Sequence, residues 1–133
     1  MAESFEQERR EFIRIKLEIP IHYKFLCTHL KDNRLDEIYR GFTSNISGGG
    51  ILLKGPVPEF SWIPDLLMQK TVIGVNMMLP TEEEPIKALT RVAWIEAIDE
   101  KTHYCTLGLR FKEITRDDQD KIFKFIIRSQ IPS

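Results

Sequence analysis

The sequence predicts an all-β-dominated fold: a small antiparallel six/seven-stranded β-barrel with one C-terminal amphipathic α-helix. Three observations carry this. Apolar and polar residues alternate through residues 15–27, a period of two that marks a half-buried strand. Further strand-like stretches follow, joined by short polar turns without intervening helices, which favours antiparallel pairing and, at this strand number, closure. Only at the end of the chain do apolar residues recur at helical spacing.

The elements follow in order. Residues 1–14 are rich in charge and poor in apolar side chains, and are expected to form a mobile arm. In the first strand Ile15, Leu17, Ile19, Ile21, Tyr23, Phe25 and Cys27 share one face, with Lys16, Glu18, His22 and Lys24 opposite. Pro20 falls on the polar face and predicts an edge position or a bulge, because it has no N–H to donate. Lys31-Asp32-Asn33-Arg34 reads as a turn, and a return strand over residues 38–43 leads into Asn45, with Ile51, Leu52 and Leu53 apolar beyond it. Residues 55–69 are interrupted by Pro56, Pro58 and Pro64 and read as a loop with a short helical turn after Pro64. Phe60, Trp62, Leu66 and Leu67 give that loop apolar bulk. Strands resume over residues 71–79, 86–98 and 103–112, separated by turns at 80–85 and 99–102. Thr115 followed three residues on by Asp118 resembles a capping box, although the usual partner is Glu or Gln. Ile122, Phe123, Ile126 and Ile127 then define the apolar positions of the helix, with Lys121, Lys124 and Arg128 among the polar ones. The expected organisation is a single domain over residues 1–133: the arm 1–14, the barrel 15–113 and the helix 115–130.

Composition narrows the function classes. With 133 residues, 42% hydrophobic and 29% charged, the chain supports one ordinary globular core. A net charge of −1 and a pI near 6.3 argue against a general nucleic-acid binder. No apolar run approaches a membrane span and no signal-peptide pattern opens the chain, so no membrane insertion and a cytoplasmic location are expected. Cys27 and Cys105 fall on the apolar side of alternating segments and read as buried free thiols. No metal site is expected, because Cys27-Thr28-His29 is the only close ligand pair and no second pair of standard spacing accompanies it. Enzymatic patterns are also missing. Ser47 lacks the glycine two residues earlier that a nucleophile elbow needs, and no Gly-Lys-Ser/Thr follows the three glycines. His22, His29 and His103 lie in separate segments, and Glu82-Glu83-Glu84 reads as a solvated turn tip.

Two polar motifs remain. Arg10-Glu11-Phe12-Ile13-Arg14, preceded by Arg9, concentrates cations: residues 9–16 hold four basic side chains and one acid. Guanidinium groups suit phosphates and the O6/N7 edge of guanine, and they stack on base planes. Asn45-Ile46-Ser47-Gly48-Gly49-Gly50 supplies short hydrogen-bonding side chains on a backbone that a ligand can approach closely. Taken singly, both patterns are weak: arginines four apart are common on exposed helix faces, and Asn, Ser and Gly cluster in turns for local reasons. Their order is the informative part. The first motif precedes the first strand and the second follows the return strand, so a hairpin brings the two together.

With these residues the chain resembles a PilZ domain, the bacterial receptor module for cyclic di-GMP. The signature RxxxR followed by D/N-x-S-x-x-G is matched by Arg10, Arg14, Asn45, Ser47 and Gly50. Arg91-Val92-Ala93-Trp94 is similar to the family's fifth-strand pattern, Leu107-Gly108-Leu109-Arg110-Phe111 to its G-x-x-F strand, and Asp117 onward to its closing helix. Thr90, where many members carry Gly, and the proline-rich residues 55–64 depart from the pattern. The resemblance implies a receptor rather than an enzyme, with no cofactor and with cyclic di-GMP as ligand. It implies that Arg10 and Arg14 clamp phosphates and guanine acceptor edges, and that Asn45 and Ser47 read the guanine edge. Gly50, with Gly48 and Gly49, is expected to keep the surface flat and permit unusual dihedrals. Arg9 adds a third guanidinium, expected to favour two stacked ligand molecules. Binding is expected to order the arm and so alter contact with an unidentified downstream protein, in control of motility, biofilm or exopolysaccharide. The expected state is monomer or homodimer, with the last helix and the apolar loop near Trp62 as contact surfaces. A PilZ-like adaptor that binds no nucleotide is the alternative. A barrel for single-stranded nucleic acid is disfavoured by the acidic balance and the lack of an exposed aromatic row.

Overall fold

Alternation of inward apolar and outward polar side chains builds a closed antiparallel barrel. The computed structural model describes residues 18–27 and 33–131. The strands are β1 (Ile19–Cys27), β2 (Tyr39–Thr43), β3 (Gly50–Pro56), β4 (Thr71–Met77), β5 (Ile86–Ile98) and β6 (Tyr104–Ile114). A short helix α1 (Ile63–Leu67) lies between β3 and β4, and α2 (Arg116–Gln130) follows β6. Around the barrel the order is β1-β2-β3-β6-β5-β4, with β4 pairing back onto β1. Six strands therefore close, at the lower of the two expected numbers.

β1 shows why the alternation works. Ile19, Ile21, Tyr23 and Phe25 are buried while Pro20, Lys24 and Leu26 are exposed. Pro20 sits at a local edge, since the β1–β4 register begins only at Ile21↔Met77, and no bulge is needed to accommodate it. The expected strand residues 15–17 lie outside the described residues, as does the arm. Thr90 is fully buried, and its hydroxyl is satisfied by donating to the Ile73 carbonyl at 2.8 Å, so a polar residue there costs little. Tyr23 donates to the Pro56 carbonyl at 2.6 Å, and burial pushes its phenol well above the ordinary tyrosine range, keeping it a neutral donor.

The proline-rich segment is more structured than a loop. β3 runs through Gly55 and Pro56, a 3₁₀ turn spans Phe60–Trp62, and α1 begins just before Pro64. Trp62 does not form a contact surface: it is 4% exposed and packs edge-on against Phe25 at 5.4 Å. Phe25 and Tyr23 in turn meet Tyr39, so four rings knit the core beneath this segment. The exposed apolar residues here are Leu67 and Met68. Of the two cysteines, Cys105 is buried, and burial pushes its thiol up; Cys27 is half-buried.

The helix face needs a second correction. α2 buries Ile122 and Phe125 and half-buries Ile126, whereas Phe123 is 46% and Ile127 58% exposed. Residues 122, 125 and 126 form the i, i+3, i+4 stripe, and 123 and 127 lie about 100° further round. The sequence is apolar on both stripes, so spacing alone did not choose between them. The cap forms in part: Thr115 Oγ1 accepts from the Asp118 N–H at 3.1 Å. The Asp118 carboxylate instead accepts from the Lys87 N–H at 3.2 Å, which docks the helix start on β5. Among the described residues no helix is long and apolar enough to cross a membrane, and no group of three or more metal-ligating side chains occurs.

Replacing the cap tests this docking: Thr115→Ala is expected to lower unfolding free energy by about 1 kcal/mol, read as a lower urea midpoint with an unchanged slope.

Candidate functional site

The connection between β2 and β3, residues 44–49, is a tightly bonded turn on the outer barrel face. Thr43 Oγ1 donates to the Asn45 carbonyl at 2.9 Å and accepts from the Asn45 N–H at 3.1 Å, and the same carbonyl accepts from the Leu52 N–H. The Ser47 hydroxyl accepts from the Gly49 and Gly50 N–H groups at 3.3 and 3.2 Å and faces the Gly50 carbonyl at 3.2 Å. Thr43 and Ser47 thus satisfy the turn's own backbone. The Asn45 side-chain amide is different. It is exposed and makes no hydrogen bond among the described residues.

Two of the three glycines, Gly48 and Gly50, serve space rather than backbone conformation. No described glycine has a positive φ, so the expected unusual dihedrals are not used. At Gly50 a Cβ would collide with the Leu109 carbonyl of the neighbouring strand. At Gly48 it would enter the ring of Phe123 on α2, whose neighbour Gln119 donates to the Gly48 carbonyl at 3.2 Å. At Gly49 nothing lies within 4 Å. The Gly49 carbonyl accepts from the Phe111 N–H at 2.9 Å, which ties the turn to β6.

A cavity of about 360 Å³ lies against this turn. It is lined by Asn45, Ser47, Gly49 and Gly50 of the turn together with Leu52, Trp94 and Arg110. Gly48 sits behind the turn against α2 and does not line it. Trp94 is 48% exposed, and its indole lies over Gly108, where a Cβ would strike the ring. Arg110 pairs in register with Gly50 and is exposed. Arg9, Arg10 and Arg14 lie outside the described residues, so the geometry brings together only the Asn-Ser-Gly half of the expected site.

Trp94 and Arg110 were not among the expected site residues. Their signals lay in pairing: each is outward on its strand and directly opposite a glycine, Gly108 and Gly50. A half-exposed indole, an unspoken-for amide and a guanidinium around one hollow suit a flat, polar, anionic molecule. A larger cavity of about 690 Å³ on the outer faces of β1, β4 and β5 includes His22, Lys24 and Lys87 but no motif residue.

Comparison with known proteins agrees with this architecture. The PilZ domain model matches residues 8–128. Among solved structures the chain is similar to the inhibitor of motility (MotI/DgrA) of Bacillus subtilis, with a TM-score of 0.58 and 21% identity. The match covers 86% of this chain and 48% of that one, so the chain spans about half the length of this relative. At that identity the likeness is one of fold. No curated protein matches the chain.

The glycine contacts separate two otherwise similar substitutions. Gly50→Ala is expected to cost about 1–3 kcal/mol of stability by forcing β3 from β6, whereas Gly49→Ala leaves the melting temperature near that of the parent; differential scanning calorimetry on both checks this.

Proposed function

The chain belongs to the PilZ domain family, and from that premise we propose that it binds cyclic di-GMP in the hollow between the β2–β3 turn and β6. PilZ domains are receptor and adaptor modules, and binding rather than bond-making is the output. The observation that carries the reading is the convergence of the uncommitted Asn45 amide, the Trp94 face and the motif glycines on one cavity. Asn45 reads a guanine edge, since an amide offers a donor and an acceptor side by side. Ser47, engaged with its own turn, positions Asn45 rather than contacting the base. Trp94 offers a stacking surface, and Arg10 and Arg14 clamp the phosphates from the arm. Arg9 is assigned to a second, stacked ligand molecule, because each cyclic dinucleotide brings two further negative charges.

Binding orders the arm across the barrel and changes the surface offered to a downstream protein, in the cytoplasm. Motility is the first process to examine among those the family serves, given that the Bacillus relative is an inhibitor of motility. The protein itself acts as monomer or homodimer.

Titration calorimetry with cyclic di-GMP tests the reading. The parent protein is expected to bind, with two ligands per chain at saturation, and Arg14→Ala to abolish detectable binding while retaining cooperative unfolding. Asn45→Ala is expected to weaken binding by about 1–2 kcal/mol, roughly tenfold. Because Trp62 is buried and Trp94 half-exposed, the ligand should change tryptophan emission in the parent and not in Trp94→Phe. Absence of both heat and thermal shift with the parent protein would rule out the proposed ligand.

A further inference from the structure

Few cations among the described residues meet carboxylates. Arg34 pairs with Glu59 at 2.6 Å, Lys121 with Asp117 at 3.4 Å, and Lys124 with Asp120 at 3.0 Å. Arg91 and Arg110 stand out by their placement. They occupy directly opposite positions on β5 and β6, and neither makes an ion pair among the described residues. Both project outward, since Arg91 lies between buried Thr90 and Val92, and Arg110 follows buried Leu109. Like charges directly opposite across strands repel, so the free protein carries an unfavourable contact in this row.

The row continues to Gly50, which pairs with Arg110 on its other side and has no side chain. Gly50 itself is closed over by the Leu109 carbonyl, but Arg110 lines the neighbouring Asn45 cavity, with Arg91 one strand further away. An anion placed there would turn the repulsion into two charge-assisted contacts. Guanidinium forks fit the paired oxygens of a phosphate better than a single point charge would.

We propose that Arg91 and Arg110 form a phosphate-binding pair built into the barrel wall, which holds a phosphodiester of the ligand independently of the arginines on the arm. The inference rests on the cyclic di-GMP reading for the identity of that ligand, and on the strand register for the pair itself. It gives the site two cationic sides. A ligand with two phosphodiesters would meet the barrel pair in addition to the arginines proposed for it above.

Glutamine substitutions test the pair, since they remove charge while keeping most of the side-chain length. In titration calorimetry Arg91→Gln and Arg110→Gln are each expected to bind cyclic di-GMP about tenfold more weakly than the parent. Removing either charge also removes the repulsion, so the ligand-free melting temperature of each variant should hold or rise. Unchanged affinity in both variants, or a lower ligand-free melting temperature in both, would show that the arginines serve the fold and would overturn the proposal. If the parent takes up no cyclic di-GMP, the function proposed above fails, and the pair is judged by inorganic pyrophosphate instead. Pyrophosphate should then raise the melting temperature of the parent but not of the double variant; equal shifts in the two would overturn the pair as well.

Discussion

The approach of β3 to β6 at Gly50 is the constraint on which the site and the barrel both depend. The Leu109 carbonyl comes so near the Gly50 Cα that no side chain can stand between them. From there the two strands stay in unbroken register through Pro56↔Tyr104. β2 holds β3 through a single strand pair, Phe42↔Lys54, so the β3–β6 ladder carries most of β3's attachment. The same contact brings the end of the turn down onto β6, where Phe111 bonds the Gly49 carbonyl and Arg110 becomes a neighbour of the motif. Barrel closure and site formation are therefore one structural event.

Within the turn the polar residues divide into those that hold and those that present. Thr43 and Ser47 direct their hydroxyls at nearby backbone, leaving the amide of Asn45 uncommitted on a fixed scaffold. This division favours recognition, because a rigid presenter loses little freedom on binding. It also explains why a serine sits in such a motif without any catalytic partner. Its hydroxyl is a structural acceptor.

Much of the fold was legible because burial enforces a period of two. β1 and β5 show it along their inward positions, and the ends of β5 match the expected residues 86–98. What escaped reading depended on three-dimensional choice. The helix offered two apolar stripes, and only packing against the barrel selected Ile122 and Phe125. Trp62 reads in the sequence as part of an apolar loop that could offer a contact surface, yet packing against Phe25 draws it into the core. Half of the candidate site was legible as a local motif, because Asn45 to Gly50 are contiguous in sequence. Trp94 and Arg110 were not, because their membership arises from cross-strand partners about fourteen and sixty residues away. The role of the glycines was misjudged for a related reason: composition shows where a side chain is missing, but not which neighbour needs the room.

The attachment of Gly48 to α2 has a thermodynamic corollary. Gln119 bonds the Gly48 carbonyl and Phe123 lies against its Cα, so the helix and the turn share one set of coordinates. If a shift of α2 carried the turn with it, any effect of a helix partner on the turn would be matched by an equal and reciprocal effect of the turn on that partner. The exposed line of Phe123 and Ile127 on α2, continued by Ile131 just past its end, therefore borders the turn through Gly48, which does not itself line the hollow.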